Sequence, residues 1–297
     1  MAEWKDLLDP DDEAIRALAP ELPPLVVDQF AAAPNEHTRP RMQSGDGWFA
    51  AVFLIPVAVP DEDRLFYQEV GFVATDRRVL TIRKTPPGEE PFDAARVEEA
   101  CAGKHAPPAG TIVYHLLDTV ADRFLDLGDQ ISGEIDELED AIERLPASNV
   151  RRRLVDLRHD ILHIRHVLAP TREAVRRVVD GTVDGGLVVD EETRPFLADA
   201  YDKLLRAAEG LDFARDLVAA AREFHQSRIA EEQNDVIKKL TVIASLLLLP
   251  TFIVGVYGQN FEHMPELGWH HGYAFSWAVI AATTIAQLAY FRGRRWI

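Results

Sequence analysis

Hydrophobic and polar positions change rhythm along this chain. Up to about residue 110 the pattern is mixed. Residues 12–18 have helical spacing, and residues 48–59 read WFAAVFLIPVAV, a run of β-forming side chains. Residues 69–73 and 78–83 suit strands, with Thr75-Asp76-Arg77 as the turn between them. Residues 91–102 are expected to be a helix, and Pro107-Pro108-Ala109-Gly110 to close this α/β region. From Thr111 the apolar positions recur at helical spacing through Leu116, Val120, Phe124, Ile131, Ile135, Leu138 and Ile142 to Leu145. Pro146 and Asn149 mark a break, residues 150–179 a second helix, and Gly181, Gly185 and Gly186 a loop. A third helix starts near Glu191 and meets no helix-breaking pair before Pro250, so it runs for about 65 residues, or about 100 Å, a length that suits a stalk.

Charge then disappears. Residues 240–257 read LTVIASLLLLPTFIVGVY and residues 274–291 read AFSWAVIAATTIAQLAYF, neither with a charged side chain. Each reaches the lower end of the roughly 17–25 residues that span a bilayer core. One such run alone could be a buried core helix; two runs joined by one short connection predict a membrane hairpin. Lys238 and Lys239 precede the first run, Arg292, Arg294 and Arg295 follow the second, and residues 258–273 hold no Lys or Arg. The distribution of basic residues therefore predicts cytoplasmic termini and an outer loop. Trp269, Tyr273 and Trp296, with Tyr257 and Tyr290, fall where interfacial aromatics sit. A two-helix hairpin cannot enclose a path for ions, so conduction would need several subunits.

Composition narrows the classes of function. The chain of 297 residues carries a net charge of −17, which argues against nucleic acid as a partner. An acidic surface attracts cations, although simple solvation explains it equally well. The single cysteine, Cys101, rules out an intramolecular disulfide. The opening MAEWKDLLDPDDE lacks the pattern of a signal peptide. No Walker-type loop, G-x-S-x-G or H-E-x-x-H is present, so an enzyme is not expected.

The sharpest local feature is Tyr257-Gly258-Gln259-Asn260-Phe261, where the first run ends, followed by Glu262, Met264, Pro265, Glu266 and Leu267. Backbone that leaves a helix at this depth must line water or be buried in protein. Gly258 admits an unusual backbone conformation, and Gln259 and Asn260 offer amide oxygens that hold a hydrated cation weakly. A plain helix C-cap fits the same residues. The stretch resembles the signature of the CorA magnesium transporters, Tyr-Gly-Met-Asn-Phe with Met-Pro-Glu-Leu in the loop, with Gln259 in place of the family's methionine. Asn234, Pro250-Thr251-Phe252 and the basic tail share the resemblance, which in outline covers the whole chain.

The resemblance implies a fold and a set of roles. The fold is an α+β cytoplasmic domain with long helices, then a stalk helix and two C-terminal transmembrane helices, assembled as a funnel-shaped homo-oligomer, a homopentamer, in the inner (plasma) membrane. The segments are 1–110, the α/β domain; 111–190, a helical hairpin; 191–239, the stalk; 240–257, the pore-lining span; 258–273, the outer loop; 274–291, the second span; and 292–297, the tail. Selectivity falls to Gly258, Gln259 and Asn260. Asn234, Ile237, Leu240, Thr241, Leu248, Thr251 and Gly255 line the pore, with Ile237, Leu240 and Leu248 as apolar constrictions. Most of these stand three, four or seven apart, on one helix face. Glu262 and Glu266 attract cations at the outer loop. Asp93 and Asp199 bind regulatory magnesium between subunits. The implied activity is uptake of magnesium, with cobalt or nickel, down the membrane potential and gated by cytoplasmic magnesium. Gln259 and the loop residues His263, His270 and His271 keep open a zinc or other transition-metal transporter, with or without proton coupling. A membrane-anchored metal sensor that conducts nothing is the third reading. Elsewhere, His159, His163 and His166 have a spacing that could hold a transition metal; Arg158 and Arg165 would oppose a cation, and a solvated face is expected. The acidic run 134–143 is expected to be a solvated helix face, with Arg151-Arg152-Arg153 as its partner.

Overall fold

The computed structural model describes residues 2–34, 39–59, 64–103, 107–142, 144–183, 188–259 and 264–296. The chain forms two compact units, Met1–Arg222 and Glu223–Ile297. The first unit holds a five-stranded sheet of β1 (Glu3–Leu8), β2 (Arg41–Gly45), β3 (Trp48–Val59), β4 (Arg64–Ala74) and β5 (Arg78–Lys84), in the order β1-β5-β4-β3-β2. The β1–β5 pair is parallel and the others are antiparallel. Helices α1 (Asp12–Leu18) and α2 (Pro24–Ala31) precede β2. After the sheet come α3 (Ala95–Cys101), α4 (Ala109–Ala141), α5 (Ala147–Val179) and α6 (Arg194–Tyr257).

The unbroken apolar run of β3 follows from burial on both faces. Phe49, Ala51, Phe53 and Ile55 join one core with Val70, Phe72 and the inner faces of α3, α4, α5 and the first part of α6. Ala50 and Val52 point the other way, into a second core with Val73, Leu80, Ile82, Ile15, Val27 and Phe30 of α1 and α2. Successive strand residues face opposite sides, so a strand covered on both sides must be apolar throughout. Pro56 is tolerated because the pairing with β2 stops at Val52, which leaves β3 an open edge there. The junction expected near Gly110 falls inside this unit: Gly110 lies in the first turn of α4, and a Cβ on it would stand 2.4 Å from Thr193 Oγ1.

The expected helix over 91–102 is corrected at its start, since α3 begins at Ala95. The preceding carbonyls are held by side chains instead of a helical ladder: Arg83 Nη1 donates to Phe92 O at 2.7 Å and Gln68 Nε2 to Pro91 O at 3.2 Å. The helix expected to reach Leu145 stops at Ala141, ahead of Pro146, which caps α5. In the hairpin of α4 and α5, Arg153 pairs with Glu134, as the two charge runs suggested.

Two buried or half-buried ionic groups tie the first unit together. Glu69 and Lys84 stand opposite each other in register on β4 and β5. Their side chains are 2% and 4% exposed and 2.8 Å apart. Lys84 Nζ also donates to Ala32 O at 2.6 Å, which satisfies a carbonyl at the end of α2. The second group joins three helices. Lys203 of α6 donates to Asp118 at 2.5 Å and to Asp122 at 2.8 Å, both on α4, and Arg96 of α3 pairs with Asp122. Burial alone would push the Asp122 carboxyl up, but the hydrogen bonds from Lys203 and Arg96 outweigh it and hold the group below its ordinary value. Burial likewise opposes the charge on Lys203, and the bonds to Asp118 and Asp122 outweigh it and hold the ammonium above its ordinary value.

The second unit contains the rest of α6, a 3-10 turn at Pro265–Gly268 and α7 (Gly272–Gly293). In the most apolar stretch of each helix only 6% of the residues are buried within the chain.

Two stability predictions follow from the ionic groups. Lys84→Met removes the Lys84 ammonium from beside a buried carboxylate and from Ala32 O, and should cost about 3–5 kcal/mol in thermal unfolding of the full chain. The Asp122 contribution is complete above the unfolded carboxylate value of about 3.9 and is lost as pH falls through the lower folded value. The Lys203 contribution is complete below about 10.4 and is lost as pH rises through the higher folded value. The difference in unfolding temperature between wild type and Lys203→Met should therefore be flat from about pH 5 to 10 and shrink toward either extreme.

Candidate ion path and regulatory acids

The second half of α6 presents two different faces. Ser245, Leu246, Leu249, Pro250, Ile253, Val256 and Tyr257 are partly covered, and Val242 is buried. On this side Gln287 Nε2 of α7 donates to Ser245 O at 3.1 Å. Asn234, Ile237, Leu240, Thr241, Leu248, Thr251, Gly255, Gly258 and Gln259 are all exposed. At 100° per residue the exposed set, through Gly258, centres about 150° away from the covered set. The positions assigned to the pore by resemblance thus share the face that α7 leaves uncovered.

Local chemistry on that face suits a hydrated cation. Thr241 Oγ1 donates to Ile237 O at 2.8 Å and Thr251 Oγ1 to Leu247 O at 2.7 Å. Each hydroxyl proton is spent on the helix, so the oxygen lone pairs remain to accept from water or to face a cation. Gly255 has open space around a notional Cβ, so its contribution is a bare strip of backbone. Pro250 sits inside the helix and removes one backbone donor.

The end of the span departs from expectation in one respect. Gly258 does not take a left-handed backbone; the described glycines with positive φ are Gly47, Gly88 and Gly181. Its N–H closes the helix on Val254 O at 2.9 Å, and a Cβ there would press on that same oxygen at 3.3 Å. A side chain there would make a tight contact with the last turn, and the backbone itself has no left-handed conformation. Gln259 N continues with a bond to Val256 O at 3.3 Å. Asn260, Glu262 and His263 lie outside the described residues. Glu266 falls within the 3-10 turn. His270 and His271 pack edge to face with ring centroids 4.7 Å apart. Aromatic rings mark both ends of α7: Trp269 against Phe275 and Tyr273 against Trp277 at one end, Phe291 stacked on Trp296 at the other. Arg294 lies over the Tyr290 ring at 5.7 Å. Such amphipathic rings belong at membrane interfaces.

The two regulatory candidates are exposed on the first unit. Asp93 Oδ1 accepts from Ala95 N at 2.9 Å, an Asx turn just ahead of α3. Asp199 lies on α6. The Tyr114 phenol is pushed up, first by burial and then by the carboxylate of Asp118, with Asp199 adding to it. Each of the two acids stands one turn from a member of the three-helix ionic network, Asp93 from Arg96 and Asp199 from Lys203. That network pairs two cations with two carboxylates, so it adds no net charge against a metal ion. Among the described residues, no group of three or more His, Cys, Asp or Glu side chains gathers to hold a metal. Asp93 and Asp199 therefore do not make a cage within one chain. Pattern reading missed the ionic network, because its members lie on three elements; only the acidic positions of α4 at i and i+4 hinted at it.

Comparison with known proteins bears on the family and the fold. The profile of the family described as CorA-like Mg2+ transporter protein matches residues 2–295. The cobalt/magnesium transport protein CorA of Thermotoga maritima is 27% identical over 276 residues, covering 92% of this chain and 76% of that protein. The magnesium transport protein CorA of Salmonella typhimurium is 26% identical over 304 residues, covering 100% of this chain and 92% of that one. The complete structure of the CorA magnesium transporter from Methanocaldococcus jannaschii superposes with a TM-score of 0.80 at 19% identity, covering 99% of this chain and 91% of that one. That likeness establishes the shared fold: α/β domain, long helices and two apolar C-terminal helices. The match over nearly the whole chain places this protein in the CorA family of magnesium transporters.

Proposed function

We propose that this chain is one subunit of a homopentameric divalent-cation channel that admits magnesium down the membrane potential. The observation that carries the reading is the face of α6 left uncovered by α7, with Asn234, Thr241, Thr251 and Gly255 spaced along it. Repeated around a symmetry axis, that face would line a shared path with Ile237, Leu240 and Leu248 as apolar rings that gate by dewetting. Magnesium dehydrates reluctantly. Hydroxyl and amide oxygens without full charge would therefore hold it through its retained water and let it leave. At the outer mouth Gly258, Gln259 and Asn260 would select, while Glu262 and Glu266 raise the local cation concentration. The basic residues flanking the spans support cytoplasmic termini in the plasma membrane. A dication gains about 4.6 kcal/mol per 100 mV, enough to drive uptake without ATP.

Asp93 and Asp199 supply the gate's sensor in this reading. Both are exposed carboxylates, hard oxygen donors of the kind magnesium prefers. Magnesium bridging Asp93 of one subunit and Asp199 of the next would offset repulsion between acidic subunits, each at −17. Loss of magnesium would release that contact and open the path.

A second reading keeps the fold and changes the cargo. Gln259 replaces the family's methionine, and the adjacent loop holds His270 and His271, which favour zinc, cobalt or nickel over magnesium.

Ion uptake into proteoliposomes decides between them. Magnesium entry should follow the imposed potential, ignore a proton gradient and fall at least tenfold in Asn260→Ala. Asp93→Ala with Asp199→Ala should keep conducting when internal magnesium is raised to a level that silences the wild type. Zinc-selective, proton-dependent entry would establish the second reading instead. Absence of flux for every ion would contradict both.

A further inference from the structure

One cluster on the first unit has no part in the proposed function. His159 and His163 occupy successive turns of α5, and their Nε2 atoms are 3.0 Å apart, with ring centroids 4.2 Å apart. Their other nitrogens point to different partners. His163 Nδ1 is 3.2 Å from Tyr67 Oη on β4, and His159 Nδ1 is 3.9 Å from Asp160 Oδ1. The two rings therefore turn their Nδ1 atoms outward to oxygen partners and their Nε2 atoms toward each other.

That separation suits a shared proton between the rings, and it equally suits a metal chelate. Two imidazole nitrogens bound at about 2.0–2.1 Å, at angles between about 90° and 110°, stand about 2.9–3.4 Å apart. A ligating histidine commonly donates its second ring N–H to a carboxylate or other oxygen, which fixes tautomer and orientation. With their protons on Nδ1, His163 donates to Tyr67 Oη, His159 faces Asp160, and both Nε2 lone pairs are left for one ion. Of the two arginines expected to oppose a cation, Arg165 is engaged with Asp212 at 2.7 Å.

We propose that His159 and His163 chelate a transition-metal dication (zinc, nickel, cobalt or copper) on the face of α5, with Tyr67 and Asp160 orienting the two rings. Imidazole nitrogen suits these ions, whereas magnesium takes oxygen donors. Two protein ligands leave water in the remaining positions, so the ion is exchangeable. Because Tyr67 belongs to β4, an occupied site fixes this stretch of α5 against the sheet.

Nickel chloride binding to the full chain in detergent micelles, in excess magnesium to fill oxygen-donor sites, tests the assignment. The wild type should bind one more nickel ion per chain than His159→Ala or His163→Ala. Tyr67→Phe should keep the site but weaken it about tenfold, and His166→Ala on the same helix should match the wild type. Both histidines are exposed, and matching unfolding curves without metal should show the variants folded. As a measurement independent of their folding, copper(II) bound to the wild type under the same conditions should show imidazole-nitrogen couplings in its electron paramagnetic resonance spectrum. Equal nickel binding in wild type, His159→Ala and His163→Ala would overturn the proposal. So would a copper spectrum free of nitrogen coupling, or loss of the same ion in His166→Ala.

Discussion

The most apolar stretches of α6 and α7 find almost no partner within their own chain. Burial of apolar area stabilises by about 25 cal/mol per Å², so two long helices with 6% of their most apolar residues covered would be ruinous in water. A bilayer removes that difficulty and imposes its own: backbone polar groups at that depth must be satisfied internally. Both stretches comply by remaining helical, and the threonines there return their protons to helix carbonyls. Membrane residence of both stretches follows from this surface.

Within that constraint the two faces of α6 divide the work. One carries Ser245, Leu249 and Ile253 and is partly covered, with α7 bonded to it through Gln287. The other alternates small polar groups with large apolar ones, a mixture poorly suited to lipid and well suited to a narrow, intermittently wet path. The first unit follows a different logic. There the sheet is covered on both sides, and ionic groups such as Glu69 with Lys84, and Lys203 with Asp118 and Asp122, join elements far apart in sequence.

How much of this could be read from the chain depended on the range of the interactions. The long helices were legible because their apolar spacing persists over many turns, and the two spans because charge vanishes over about 18 residues in each. Strand β3 was legible by composition. Strands β1 and β2 were not: EWKDLL and RMQSG are short and polar edge strands, defined by what they pair with. Helix α2 carried a usable signal, Pro24 at its first position, which the apolar pattern did not bring out. The start of α3 depends on Gln68 and Arg83 reaching across from the sheet. That the positions assigned to the pore share one face of α6 was legible through periodicity. Gly258 was read as conformational freedom, whereas its backbone is not left-handed and its nearest constraint is a tight approach to Val254 O. The histidine pair shows the same limit: its i and i+4 spacing was visible, but the oxygen partners that orient the rings were not, because Tyr67 comes from a strand 96 residues away.

The central claim, that the uncovered face of α6 lines the ion path, is tested most directly by thiol accessibility during magnesium uptake. Single cysteines at Leu248, Thr251 and Gly255, and at Leu249, Ile253 and Val256, would be introduced after replacing Cys101 by serine. A charged, water-soluble thiol reagent should block uptake through the first three positions and leave the second three unaffected. Block confined to the second set, or equal across both, would contradict the account.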